Sequence, residues 1–334
     1  MIVLAGDIGG TKTLLALYRV NRCASVHGSL GFEEIRRERY ESSAFKGLAS
    51  MVEQFLSVGR DEVRCATFAI AGPVVNQVCK ATNLPWIVSA HEMATLLGTP
   101  HVSLINDFQA VAMGIELLDQ DSIHTLNVGE YDPHSPRAVI GAGTGLGQAL
   151  VMPVEGGWQV WPSEGGHTDF APRNELEIQL LRYLFRKLGK RVSYERILSG
   201  LGFERLYEFV VTEGIEPCSP VVDALKGTKE MAAAITKEGL SGVSSACQRV
   251  VEMFASIYGA EAGNQALKCL PFGGLYVAGG IAPKILPAIE KDFLLSFLNK
   301  GRMSDLLEKV PVHVILNTHV GLLGAALAAY RQGM

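Results

Sequence analysis

The sequence predicts an α/β protein of two domains built on a duplicated core. Three observations lead there. The 334 residues suit about two domains of ~150 residues, each able to bury its own core. Short apolar runs alternate with stretches of helical periodicity. One unit, strand, glycine turn, strand, stands near the N-terminus and again about 130 residues further on.

The first copy opens with the apolar run Ile2-Val3-Leu4-Ala5. Gly6-Asp7-Ile8-Gly9-Gly10-Thr11-Lys12 follows, then the β-forming stretch TLLALYRV at 13–20, which lacks helical periodicity. Together they make a β-hairpin. Apolar residues at helical spacing predict a helix over 46–58. Residues 63–70 read as a buried strand ended by Ala71-Gly72-Pro73. Ser89-x-x-Glu92 has the form of a capping box opening a helix to Leu97. A strand at 101–105 leads through Asn106-Asp107 into a helix over 108–118.

The second hairpin pairs 137–140 with 146–152 around Gly141-Ala142-Gly143-Thr144-Gly145. Helices are then expected over 175–188, 203–212, 221–237 and 245–270. A strand at 275–278 ends in Gly279-Gly280, a helix starts near Lys284, and 313–316 is a strand. Residues 320–331 close the chain as a helix, expected to pack back on the first domain. The expected division is a small domain of 1–110 plus 318–334 and a large one of 111–317.

Composition narrows the function. Hydrophobic residues at 48% and charged residues at 19% give an ordinary soluble balance. The net charge is −4, and the cluster Arg36, Arg37 and Arg39 is broken by Glu38, so the basic stripe of a nucleic-acid binder is missing. Six scattered cysteines without a C-x-x-C pair argue against a zinc ribbon or a disulfide scaffold and for a reducing compartment. Asp7 cuts the first apolar run too early for a signal peptide, and 320–330 is shorter than the ~20 apolar residues a membrane span needs. The expectation is a cytoplasmic protein with no nucleic-acid or membrane partner.

Neither glycine turn is a familiar nucleotide loop. Gly6-x-x-x-x-Thr11-Lys12-Thr13 departs from the P-loop pattern at Thr11, and a P-loop feeds a helix where 13–20 reads as a strand. The second turn has Leu146 or Gln148 where the dinucleotide fingerprint needs its last glycine. What remains is two bends bare of side chains, each with a threonine, Thr11 and Thr144. Glycine lets backbone N–H groups approach anionic oxygens closely. Two such turns facing each other would clamp a polyphosphate; either alone is an ordinary hairpin turn. Asp7, at the first strand's end, is suited to hold Mg²⁺ through water.

Asp7-Ile8-Gly9-Gly10-Thr11-Lys12 resembles the first phosphate motif of sugar kinases in the hexokinase/actin-like ATPase superfamily. Gly141-Ala142-Gly143-Thr144-Gly145-Leu146-Gly147 resembles the second, and Val277-Ala278-Gly279-Gly280-Ile281 the adenosine motif. Leu104-Ile105-Asn106-Asp107-Phe108 is similar to the catalytic segment. Phosphoryl transfer to an alcohol needs a carboxylate that takes the hydroxyl proton and orients the oxygen. Asp107 is placed for this, a plain Asx helix cap being the alternative; Asn106 would offer an amide to sugar hydroxyls.

Pro162-Ser163-Glu164-Gly165-Gly166-His167-Thr168-Asp169-Phe170 resembles the sugar-binding stretch of bacterial-type glucokinases, and Val192-Ser193-Tyr194-Glu195-Arg196-Ile197-Leu198-Ser199-Gly200 a further signature. The resemblance implies sugar contacts from Glu164, His167 and Glu195. It adds Asn83, within Thr82-Asn83-Leu84-Pro85-Trp86. Taken alone, Glu195 reads as a solvated helix residue, His167 as a bonded loop histidine and Asn83 as a turn residue.

The resemblance further implies a ribonuclease-H-like (actin-like ATPase) duplicated core with sugar and ATP in a cleft between two domains. It implies nucleotide contacts from Gly6, Asp7, Ile8, Gly9, Gly10, Thr11, Gly143, Thr144, Gly145, Gly279 and Gly280, with Mg²⁺ as cofactor. The implied activity is ATP-dependent phosphorylation of D-glucose at the 6-hydroxyl, a glycolytic step, by a cytoplasmic homodimer with Asp107 as base. Residues 168–175 lack the cysteines of the zinc-bearing kinases grouped with repressors, so the zinc-free, proteobacterial-type branch is expected, and no zinc. A first strand at residue 2 leaves no room for a helix-turn-helix domain, so no repressor role is expected. The alternatives are a kinase for another hexose or an N-acetylated amino sugar, or a non-catalytic sugar sensor on the same fold.

Overall fold

Each glycine turn closes an antiparallel hairpin in the computed structural model, which describes all residues except 23–29, 60–61, 82–83 and 156. The chain divides into two units, Met1–Asp119 with Asn317–Met334, and Gln120–Leu316.

The first unit contains β1 (Ile2–Ile8), β2 (Lys12–Arg22), β3 (Leu30–Glu41) and β4 (Cys65–Ile70). A side sheet of β5 (Val74–Val75), β6 (Val78–Lys80) and β7 (Ile87–Ser89) follows, then β8 (Val102–Asn106). The main sheet runs β3-β2-β1-β4-β8, antiparallel through the hairpin and parallel from β1 to β4 and β8. Parallel strands are buried on both faces, and β4 is buried at every position, apolar but for Thr67. Leu4 and Ile8 face one side, toward the helices Leu48–Leu56 and Ala90–Leu97. Val3 and Ala5 face the other, toward Asp107–Gly114 and Val320–Gln332. Alternation along the strand puts Asp7 on this second face. The last two helices approach closely because they meet at glycines: a side chain on Gly324 would overlap the Ala110 carbonyl.

The second unit holds β9 (Ile123–Asn127), β10 (Arg137–Ala142), β11 (Leu146–Val154), β12 (Gly157–Ser163), β13 (Leu275–Ala278) and β14 (Val312–Ile315), in the order β12-β11-β10-β13-β14-β9. From β10, its second strand, onward the plan repeats that of the first unit: an antiparallel three-strand meander continued by two parallel strands. The helix Ser245–Cys269 is buried nearly all round and forms the spine of this unit's core.

Some expectations change. The helix expected over 221–237 is two, Pro220–Ala224 and Met231–Ser241, parted at Gly227, whose φ of +78° no helix accepts. Ser89 precedes its helix but its side chain makes no capping bond; its backbone pairs with Val78 as the end of β7. The stretch after Lys284 is not one helix but a succession of short turns, including a π turn at Ile289–Phe293.

Candidate active site

In the first unit, Ile8 pairs with Thr13, leaving Gly9, Gly10 and Thr11 to turn the chain. The Gly9 N–H donates to the Lys12 carbonyl at 2.9 Å, and a side chain on Gly9 would crowd that same oxygen. Ser42, buried just beyond β3, braces the bend three ways. Its hydroxyl donates to the Gly9 carbonyl at 2.8 Å and lies 3.0 Å from Thr13 Oγ1; its N–H donates to the Thr11 carbonyl at 2.9 Å. Thr11 itself is exposed. Gly6 is buried in the sheet with Phe68 filling the place of a Cβ, and the Ile8 side chain is in the core.

Register brings two carboxylates to one end of this sheet. Ile8, Ile70 and Asn106 stand in one row across β1, β4 and β8. Asp7 lies one residue before that row and Asp107 one after. Asp7 is pushed up to about 6, first by burial and then by the Asp107 charge. Asp7 Oδ2 lies 3.7 Å from where a Gly321 Cβ would stand, in the first turn of Val320–Gln332. At β8, Asn106 is the cap of the helix Asp107–Gly114: its Oδ1 accepts from the N–H of Phe108 at 2.9 Å and of Gln109 at 3.3 Å. Its Nδ2 donates to the Gly72 carbonyl at 3.3 Å. Asp107 occupies the first turn, where Oδ1 accepts from the Phe108 N–H at 2.9 Å. Asn83 lies outside the described residues.

In the second unit, Ala142 pairs with Leu146 around Gly143, Thr144 and Gly145. Gly143 N–H donates to the Gly145 carbonyl at 2.8 Å, and Thr144 is exposed. Glu195 Oε2 accepts from the Leu146 N–H at 3.2 Å, and Oε1 lies 3.9 Å from His167 Nδ1. His167 Nε2 is 3.8 Å from Glu164, which is exposed. These three residues therefore form one cluster. The Gly165-Gly166 pair has a packing reason: a side chain on Gly166 would overlap the Leu146 carbonyl, and one on Gly165 the Gln148 amide. Gly279, at φ +85°, presses against the Ala142 carbonyl, while Gly280 has open space where a side chain would be.

A glucokinase family model matches residues 4–332. The chain belongs to the glucokinase family. A curated glucokinase from Nostoc sp. is 48% identical over 345 residues, covering 99% of both chains. One from Yersinia pestis is 37% identical and covers 96% of this chain and 94% of its own. Among solved structures, glucokinase from an Antarctic psychrotroph superimposes with a TM-score of 0.84 at 28% identity, covering 99% of each chain. The protein is thus a sugar kinase, a phosphotransferase with an alcohol acceptor, on the two-domain actin-like ATPase fold.

Other residues support the family's motifs without belonging to them. Ser42 is one. Tyr258 is another: its hydroxyl accepts from the Ala142 N–H at 3.0 Å and sits within 3.4 Å of the Ile140 and Ala278 carbonyls, tying β10 to β13. Behind the sugar segment, Glu261 is 1% exposed; it accepts from Gln148 Nε2 at 2.8 Å and from Asn264 Nδ2 at 3.0 Å. Lys300 supplies the balancing charge, 2.6 Å from Asn264 Oδ1. The available signal was a carboxylate between Ala260 and Ala262, in the apolar middle of a 25-residue helix, because buried charge demands partners.

Proposed function

We propose that this kinase transfers the γ-phosphoryl group of ATP to the 6-hydroxyl of D-glucose, with Asp107 accepting the hydroxyl proton. The observation that carries the assignment is the division of labour at the end of β8. Asn106 holds the cap position and accepts from Phe108 and Gln109, and the neighbouring carboxylate stands in the helix's first turn, where it shares the Phe108 N–H. A helix N-terminus favours an anion there, and an anionic base is what phosphoryl transfer to an alcohol requires.

Divalent metal fits the donors present. Burial and the Asp107 charge both push Asp7 up, and a hard dication beside the pair opposes both. Mg²⁺ favours one or two carboxylates with phosphate oxygens and water, so Asp7, through water, would hold it. Bound there, it would supply neutralisation of charge on the transferring group. Glu164, His167 and Glu195 offer donors and acceptors to sugar hydroxyls, which do both. The bare turns Gly9–Thr11 and Gly143–Gly145, with Gly279 and Gly280, offer backbone N–H groups to the nucleotide. Orientation of the hydroxyl and fixed dipoles around the phosphoryl group then lower the barrier.

Glucose and ATP as substrates rest on the family and on the names of relatives that are 37–48% identical. A coupled assay across glucose, fructose, mannose and N-acetylated amino sugars, with ATP, ADP or polyphosphate as donor, tests the assignment. Glucose with ATP is expected to give the highest kcat/KM. Preference for an N-acetylated sugar, or no sugar-dependent use of ATP, overturns it. A cytoplasmic homodimer is part of the same proposal, on the family's habit and the scattered cysteines; a monomer in sedimentation would remove that part.

A further inference from the structure

The second phosphate turn and the sugar-contact segment lie 49 residues apart at their point of contact, and one side chain joins them. Glu195 directs Oε2 at the Leu146 N–H, 3.2 Å away, and Oε1 toward His167 Nδ1, 3.9 Å away. Five residues on, the Gly200 N–H donates to the Gly143 carbonyl at 2.9 Å. The segment from Glu195 to Gly200 thus holds both ends of the turn. There is no slack at one of them: a Cβ on Gly145 would stand 2.5 Å from Glu195 Oε2 and 3.3 Å from its Cδ. A Cβ on Gly143 would meet nothing within 4 Å. Neither glycine has a left-handed φ, so alanine suits both backbones.

We infer that Glu195 is a positioning residue for the second phosphate turn as well as a sugar contact, so that sugar binding and the turn's hold on the nucleotide are coupled through one carboxylate. The sugar half of this statement rests on the function proposed above. A carboxylate accepting a backbone N–H makes a charge-assisted bond, roughly twice as strong as a neutral one. Its two oxygens are rigidly linked. A hydroxyl that orients Oε1 therefore fixes Oε2 against Leu146, and a phosphate that orders the turn fixes Oε1 for the sugar. Linkage requires the two effects to be equal in size.

Titration calorimetry on the full chain tests this, with glucose and with AMPPNP plus Mg²⁺, each alone and together. In the wild type, saturating glucose is expected to tighten AMPPNP binding about fivefold or more. Gly145→Ala is expected to weaken glucose binding about tenfold without nucleotide present, although its methyl reaches Glu195 and not the sugar. Gly143→Ala adds the same methyl to the same turn and should leave glucose affinity within about twofold. Reciprocally, Glu195→Ala should weaken AMPPNP binding in the absence of glucose; a residue that only binds sugar leaves that value alone. Melting curves confirm that each variant is folded, and if Gly145→Ala is not, the Glu195→Ala measurement decides. Unchanged glucose affinity in folded Gly145→Ala, or unchanged glucose-free AMPPNP affinity in Glu195→Ala, overturns the inference. A wild type that binds AMPPNP but no glucose overturns the proposed function instead, and the AMPPNP measurement still judges the brace.

Discussion

The two glycine turns share a shape and differ in what holds them. In each, the carbonyl of the first glycine is gripped from outside the hairpin, by the Ser42 hydroxyl at Gly9 and by the Gly200 N–H at Gly143. The second support differs. At the first turn it is the Ser42 N–H on the Thr11 carbonyl; at the second it is the Glu195 carboxylate on the Leu146 N–H. A hydroxyl and an amide that bond within the first hairpin make a fixed brace. A carboxylate whose other oxygen looks toward His167 makes one that answers to what binds beside it. The acids differ as well: two residues before its first turn glycine the first hairpin carries Asp7, and the second carries Gly141. Duplication kept the bend in both halves and the metal-binding type of carboxylate in one.

The chemical side of this contrast breaks hardest at Asp107→Ala. Turnover is expected to fall about 10²- to 10⁴-fold while glucose affinity, read by calorimetry, largely survives. Near-normal turnover would strip the first unit of its proposed base. Asp7→Asn probes the acidic pair through stability. The Asp7 pKa is raised from 3.8 to about 6 on folding, so the folded state holds its proton more tightly. Below the lower value both states are protonated and the group is neutral to stability. As pH rises through the interval the fold is forced to bury an anion, and stability is lost until about pH 6. Without divalent cations, Asp7→Asn should therefore be more stable than wild type by about 1–3 kcal/mol near pH 8, and equal to it near pH 4. Urea unfolding in a chelator at both pH values reads this. No gain near pH 8 would mean that neither burial nor the Asp107 charge disfavours the Asp7 anion.

Sequence conveys the parts of this molecule whose physics is local. A bare bend between two β-forming runs is visible at both hairpins, and the helix expected over 175–188 is Glu175–Leu188, with Asn174 as its cap. Edge strands are less visible. GFEEIRRERYE in β3 and GWQVWPS in β12 put polar or exposed residues on both faces, as sheet edges do, and carry no apolar alternation to read. The motif residues stand out because their chemistry restricts residue type at each position. Their supports do not: Ser42 is 33 residues from Gly9, and nothing local in Glu41-Ser42-Ser43 announces a partner at that distance. The same holds for Glu195, whose bond to the turn becomes visible only when β11 and the segment 193–200 are folded together.

Ser42→Ala has the smallest expected effect and bears most directly on the difference between the two braces. The substitution removes the donor to the Gly9 carbonyl and the partner of the Thr13 hydroxyl, both in buried surroundings, and keeps the backbone bond to Thr11. Leaving those two groups short of a bond should cost about 1–2 kcal/mol of stability, read by urea unfolding. The loosened bend should also bind AMPPNP a few-fold more weakly. The Gly9 carbonyl and the Thr13 hydroxyl, which the Ser42 hydroxyl bonds, both belong to the first hairpin, so glucose affinity without nucleotide should not move. The factor by which glucose tightens AMPPNP should equal that of the wild type, because a fixed brace lowers both affinities of the cycle alike. Glu195→Ala should abolish the same factor. If Ser42→Ala abolishes it too, the two turns answer to the sugar equally, and the division into a fixed brace and a responsive one fails.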